Sequence, residues 1–175
     1  MVATSSTMLA LGTKIPAFSL PDTLSGKTIS IPQSKPCKAV LVMFICNHCP
    51  FVQHVKSELI KIGQDYTPKN VRILAISSND VLNYPEDSPE RMRELALAEG
   101  FPFPYLYDES QNVAKAFMAA CTPDFFLFDG TLKLVYRGQL DDSRPGNGIP
   151  ITGKDLRLAL DAVISGVTVN PEQHP

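Results

Sequence analysis

The chain has 175 residues, 44% of them apolar and 19% charged, with a formal net charge of −2. That composition suits one folded domain with a sizeable core and excludes a disordered chain. Its 16 Lys and Arg residues are scattered among 18 Asp and Glu without a basic stripe, so neither nucleic acid nor an anionic membrane is expected as a partner.

The opening Met1-Val-Ala-Thr-Ser-Ser-Thr-Met lacks the basic and apolar stretches of a secretion signal, and residues 1–10 read as a flexible leader. A single domain is expected over 11–166, with a frayed tail over 167–175. Residues 15–31 alternate short apolar stretches with Pro21, Gly26 and polar turns, which predicts an N-terminal β-hairpin. Lys38 to Ile45 is rich in β-branched residues and predicts a buried central strand. The longest apolar run, Ala39 to Cys46, is too short to cross a membrane as a helix. Pro50 suits the first turn of a helix, and Phe51, Val55, Leu59 and Ile62 repeat at helical spacing.

Val71 to Ile76 predicts a second buried strand. Ser88 and Pro89 open a helix that Gly100 closes. Phe103 to Tyr107 reads as a short strand, and Ser110 opens a helix with Val113, Phe117 and Cys121 on one stripe. Phe125 to Phe128 and Leu132 to Tyr136 flank the Asp129-Gly130 turn as an antiparallel pair. Thr152 to Asp155 has the pattern of a capping box for a last helix that Gly166 ends. Strands alternating with helices imply an α/β fold, and the closing hairpin makes its sheet mixed.

The four cysteines are Cys37, Cys46, Cys49 and Cys121. A chain of this length needs no disulfide scaffold, so a reducing, cytoplasmic setting is expected. Cys46-Asn47-His48-Cys49 falls where the central strand meets the helix. A thiolate, not a thiol, attacks a disulfide. An exchanger therefore needs one cysteine of lowered pKa and a second within bonding reach. The helix start supplies unpaired N–H groups and partial positive charge, expected here to stabilise the Cys46 thiolate. His48, inside the pair, is expected to stabilise the reduced form further and make the couple more oxidising than thioredoxin's. Half of a zinc site is the competing reading. Zinc usually takes four ligands, and Cys37, His48, His54 and Cys121 make no second spaced pair, so no metal and no cofactor are expected.

FICNHCPFV (44–52), ISSND (76–80), YPEDSPE (84–90), FPFPYLYDESQNVAKAF (101–117), CTPDFFLFD (121–129) and YRGQLDDSRPGN (136–147) together resemble the alkyl hydroperoxide reductase/thiol-specific antioxidant (AhpC/TSA) family, in its peroxiredoxin-like branch with C-x-x-C. The resemblance runs from about Leu11 over nearly the whole chain. It implies a thioredoxin fold, a mixed central sheet flanked by helices, with an N-terminal β-hairpin extension. It implies that Cys46 attacks, that Cys49 resolves, and that Thr122 and a cis Pro123 hold the substrate beside them. Cys121 then lies near the pair as a candidate third redox cysteine, against its reading as a small core residue. Two positions depart from thioredoxin: Ile45 replaces the tryptophan before the first cysteine, and Val40 to Ile45 holds no acidic residue to serve as the buried proton acceptor.

Three functions compete. A thiol–disulfide oxidoreductase would use the Cys46–Cys49 pair on a protein or small-molecule disulfide, with a thiol electron donor. A thiol peroxidase would use Cys49 or Cys46 on a peroxide. Peroxiredoxins carry Thr-x-x-Cys-Pro, which lays Cys49-Pro50 on the peroxidatic position, but the arginine they need is missing before Phe125; Arg137 or Arg144 substitutes only if the fold brings it in. A binding module would leave the cysteines idle or holding zinc. Among other polar residues, Asp141, Asp142 and Arg144 lie in a loop that borders the site or is a solvated turn. Asn79 and Asp80 end a strand, His54 reads as a surface residue and Cys37 as structural.

Overall fold

The computed structural model describes residues 4–33 and 35–175; Met1 to Ala3, part of the expected leader, lie outside the described residues. Strand β1 (Phe18–Pro21) pairs antiparallel with β2 (Thr28–Ile31) as the expected hairpin. Every residue of β3 (Ala39–Phe44) is buried. It lies parallel to β4 (Val71–Ser77) and antiparallel to β6 (Asp124–Asp129). With β5 (Tyr105–Tyr107) and β7 (Leu134–Gly138) at the edges, the sheet runs β5-β4-β3-β6-β7.

The pleat sends alternate residues of β3 to opposite faces. Leu41 and Met43 pack with helix α1 (Pro50–Tyr66), α2 (Pro89–Glu99) and α4 (Lys154–Ile164), through residues such as Leu59, Met92 and Leu156. Val40, Val42 and Phe44 pack with the hairpin and with α3 (Asn112–Phe117). There the Phe117 ring meets Phe44, Phe126 and Phe128 edge-on at 5.4, 5.5 and 5.9 Å between centroids, the geometry that aromatic quadrupoles favour. The architecture is a thioredoxin fold with an N-terminal hairpin.

Ser88 caps α2 by accepting from the Arg91 amide, and Gly100 closes it with φ of 68°. Five expectations are corrected. The strand expected from Phe103 starts at Tyr105, because Pro102 and Pro104 have no N–H for the ladder. Helix α3 ends at Phe117, since Met118 turns left-handed at φ 54°, so Cys121 does not continue its stripe. The capping box before α4 does not form: Gly153 is the N-cap, and the buried Asp141 carboxylate takes the Thr152 and Gly153 amides at 2.7 and 2.6 Å. The tail is tied down rather than frayed, with Gln139 N–H donating to His174 O at 2.8 Å and Gln173 bonded to Arg137 and the Val135 carbonyl. The described part of the leader is likewise held, through Thr7 to Met118 O and Arg137 to Leu9 O.

Candidate active site

Strand β3 delivers Cys46 two residues past its end, and α1 begins immediately after Cys49. Cys49, not Cys46, is the N-cap of α1, with Pro50 in the first position, where a missing N–H costs nothing. Both cysteines are free thiols and nearly buried, Cys46 at 1% and Cys49 at 6% exposure. The turn between them is held from outside. The Asn47 and His48 amides donate to Asp87 Oδ1 at 2.6 and 3.2 Å, and the Tyr105 hydroxyl donates to Asn47 Oδ1 at 3.1 Å.

Thr122 faces both sulfurs. Its hydroxyl lies 3.4 Å from Cys46 Sγ, and its carbonyl oxygen lies 3.2 Å from Cys49 Sγ. The Thr122–Pro123 bond is cis. Cys121 is half-buried beside them, with burial and then the Asp124 and Cys49 charges pushing its thiol up to about 12. It lines the site's cleft and is not the enclosed core residue that the stripe suggested.

The two sulfurs are driven apart in acidity. Cys49 is pushed down to about 5, first by a hydrogen bond from the Cys46 thiol and then, against burial, by Thr122 and the Val52 and Phe51 amides of the helix start. Cys46 is pushed up by that shared bond, by burial and by the Asp87 charge, which Thr122 only partly offsets. These causes favour negative charge on Cys49 over Cys46. The helix start serves both sulfurs: the Phe51 and Val52 amides favour the Cys49 thiolate, and the Cys49 amide favours that of Cys46.

Asp87 was not legible as a site residue. It is fully buried, and its Oδ2 meets His48 Nδ1 at 2.5 Å and accepts from Asn79 Nδ2 at 2.8 Å. The His48 ring stacks on Tyr84 with centroids 4.4 Å apart and planes 4° from parallel. One donor atom each from Cys46, His48 and Asp87 lies within 4.8 Å of the others. The 2.5 Å contact is hydrogen-bond spacing, too close for two tetrahedral ligands each about 2.0–2.2 Å from a zinc ion.

A cleft of about 330 Å³ opens on Cys49. Its walls include Cys121, Pro123, His54 and Arg144; the Arg144 guanidinium is bonded to the Asp141 and Ser143 carbonyls and to Gln139, and that of Arg137 to Leu9 O and Gln173. His54 is not a free surface group: its Nε2 lies 2.8 Å from Ser143 Oγ. Of the other loop acids, Asp141 caps α4, Asp142 pairs with Lys154, and Asp80 closes a turn onto Leu82 and Asn83. Asp124, also on the cleft wall, is 1% exposed with no well-formed hydrogen bond to either carboxylate oxygen. Burial pushes it up to about 6, and the Ser6 hydroxyl and the Ala120 and Phe125 amides offset this only in part.

The AhpC/TSA family model matches residues 11–137. An uncharacterized conserved protein from Geobacillus kaustophilus is 55% identical, over 100% of this chain and 93% of its own, with a TM-score of 0.97. A hypothetical protein from Sinorhizobium meliloti 1021 is 47% identical over 99% and 94%, with a TM-score of 0.96. A putative thioredoxin from Neisseria meningitidis is 29% identical over 86% and 90%, at a TM-score of 0.65. None of the curated proteins compared with the chain matches it.

Proposed function

The chain belongs to the AhpC/TSA family, and from that premise we propose that it is a thiol–disulfide oxidoreductase working through Cys46 and Cys49. One observation carries the reading: two free cysteines stand together at the start of α1 with Thr122 facing both sulfurs, and Cys49 and Pro123 line an open cleft. Cys49 attacks the partner disulfide and forms a mixed disulfide. Cys46 then attacks the Cys49 sulfur and releases the reduced partner. Thr122 and Pro123 line the approach.

Replacing Cys49 with Ser is expected to abolish exchange, while Cys46→Ser is expected to form mixed disulfides that do not resolve. Mass spectrometry after incubation with a small disulfide checks both. Full exchange by Cys49→Ser would overturn the assignment of roles, and full exchange by both variants would overturn the function.

A thiol peroxidase is the second reading, favoured by the presence of Arg144 on the cleft with Cys49. Stopped-flow reaction with peroxide separates the two. An exchanger reacts no faster than an ordinary thiolate of the same acidity, whereas a peroxidase reacts orders of magnitude faster.

A further inference from the structure

We infer that Asp87 is a positioning residue for this exchange: it locks the His48 ring and the turn between the cysteines so that His48 can carry the protons of both steps. The inference rests on the exchange reading above.

Asp87 is delivered from far along the chain, on a short 3₁₀ turn (Pro85–Asp87) just before the Ser88 cap of α2. A fully buried carboxylate is costly unless it is well paired. Its pairing is concentrated at the cysteine turn. Two of its donors are the Asn47 and His48 amides, the third is His48 Nδ1, and the fourth is the Asn79 amide. An ionised carboxylate only accepts, so Nδ1 must donate to it. The proton the ring exchanges is therefore the one on Nε2. Stacking on Tyr84 holds the ring plane from its other side. Cys46 Sγ lies within 4.8 Å of a ring nitrogen and of the Asp87 carboxylate without a direct hydrogen bond to the ring, so its proton reaches Nε2 by way of one solvent water.

The steps balance as follows. The Cys49 thiolate attacks a disulfide; a new S–S bond forms, the old one breaks, and the departing thiolate takes the Nε2 proton of a protonated His48. Neutral His48 then accepts the Cys46 proton. The resulting Cys46 thiolate attacks the Cys49 sulfur, closing the Cys46–Cys49 disulfide and expelling the second thiolate to be protonated by solvent. The pair loses two electrons and the substrate disulfide gains them. Asp87 stays ionised and compensates the imidazolium charge in each step.

The test is single-turnover reduction of a small disulfide, such as cystamine, by wild type, Asp87→Asn, His48→Ala and the double variant. Each single variant is expected to slow resolution by roughly 100-fold, the lower end of what loss of a general acid–base group costs, and to accumulate the Cys49 mixed disulfide. The double variant is expected to be no slower than His48→Ala alone. A change under twofold in Asp87→Asn, or defects that multiply in the double variant, would overturn the inference while leaving the exchange reading intact. Long-range nitrogen–proton NMR of His48 in the wild type needs no variant: neutral His48 should be the Nδ1–H tautomer, and an Nε2–H tautomer would also overturn it. If wild type performs no exchange at all, the functional reading fails, and the tautomer still decides whether Asp87 positions the ring.

Discussion

Cys49 gathers the free amides of a helix start, a thiol donor and a threonine, while Cys46, three residues earlier, receives a buried negative charge from Asp87. Spacing alone identifies both cysteines and His48 as candidates, because C-x-x-C at a strand–helix junction is a local pattern. Spacing does not reveal which of the two caps the helix. That depends on where the first helical hydrogen bond closes, and Pro50 suits the first turn in either case. Asp87 was hidden for a different reason. Its partners lie 39 and 40 residues away, and an aspartate just before a Ser-Pro helix start looks like any loop residue. Asp124 is another buried acid, on the cleft wall, and it supplies a test at this scale. Its folded pKa of about 6 lies above the ordinary 3.8. Below about pH 4 it is protonated whether folded or not and costs nothing; between about pH 4 and 6 the unfolded chain ionises while the folded one resists, and above 6 the cost stays constant. Asp124 therefore destabilises the fold at neutral pH, by up to about 3 kcal/mol. Urea unfolding at pH 4 and pH 7 is expected to show wild type losing stability relative to Asp124→Asn over that interval. Parallel pH dependences in the two proteins would contradict the burial argument.

The elements position the site by packing tightly on either side of β3. Helix α1 approaches the Pro102–Phe103 segment so closely that a Cβ on Gly63 would stand 2.5 Å from Pro102 Cγ and 2.8 Å from Phe103 Cδ1. Gly63→Ala is expected to cost about 1–3 kcal/mol through overpacking, read as a lower urea midpoint; an unchanged midpoint would show that the helix can shift at no cost. Helices α1 and α4 are further joined by the buried Glu58, bonded to Arg157 at 2.7 Å. Periodicity predicts α1, α2 and the buried strands well, since apolar spacing and the Ser88 and Gly100 caps act within one turn. It fails at α3 and at the start of α4, where the deciding features are a left-handed Met118 and a capping carboxylate supplied from Asp141, eleven residues upstream of Thr152.

At the scale of the whole molecule, the chain order of strands and helices was enough to imply the α/β layers, because each buried strand carries its own apolar signature. The motifs extended this to the thioredoxin fold of the AhpC/TSA family. Contacts between distant segments were not legible: residues 173–174 against β7 and the Ser77–Ser88 loop against the cysteine turn have no local pattern to announce them. These long-range contacts make one site of β3, α1, the Asp87 turn and the Thr122–Pro123 segment. The most direct test is a glutathione redox titration of the full chain, with all four cysteines mapped by differential alkylation and peptide mass. A reversible two-electron couple confined to Cys46 and Cys49, with Cys49 the first to be alkylated near neutral pH, is the expected result. A pair that stays reduced across the titration, or a dominant Cys49–Cys121 bridge, would contradict it.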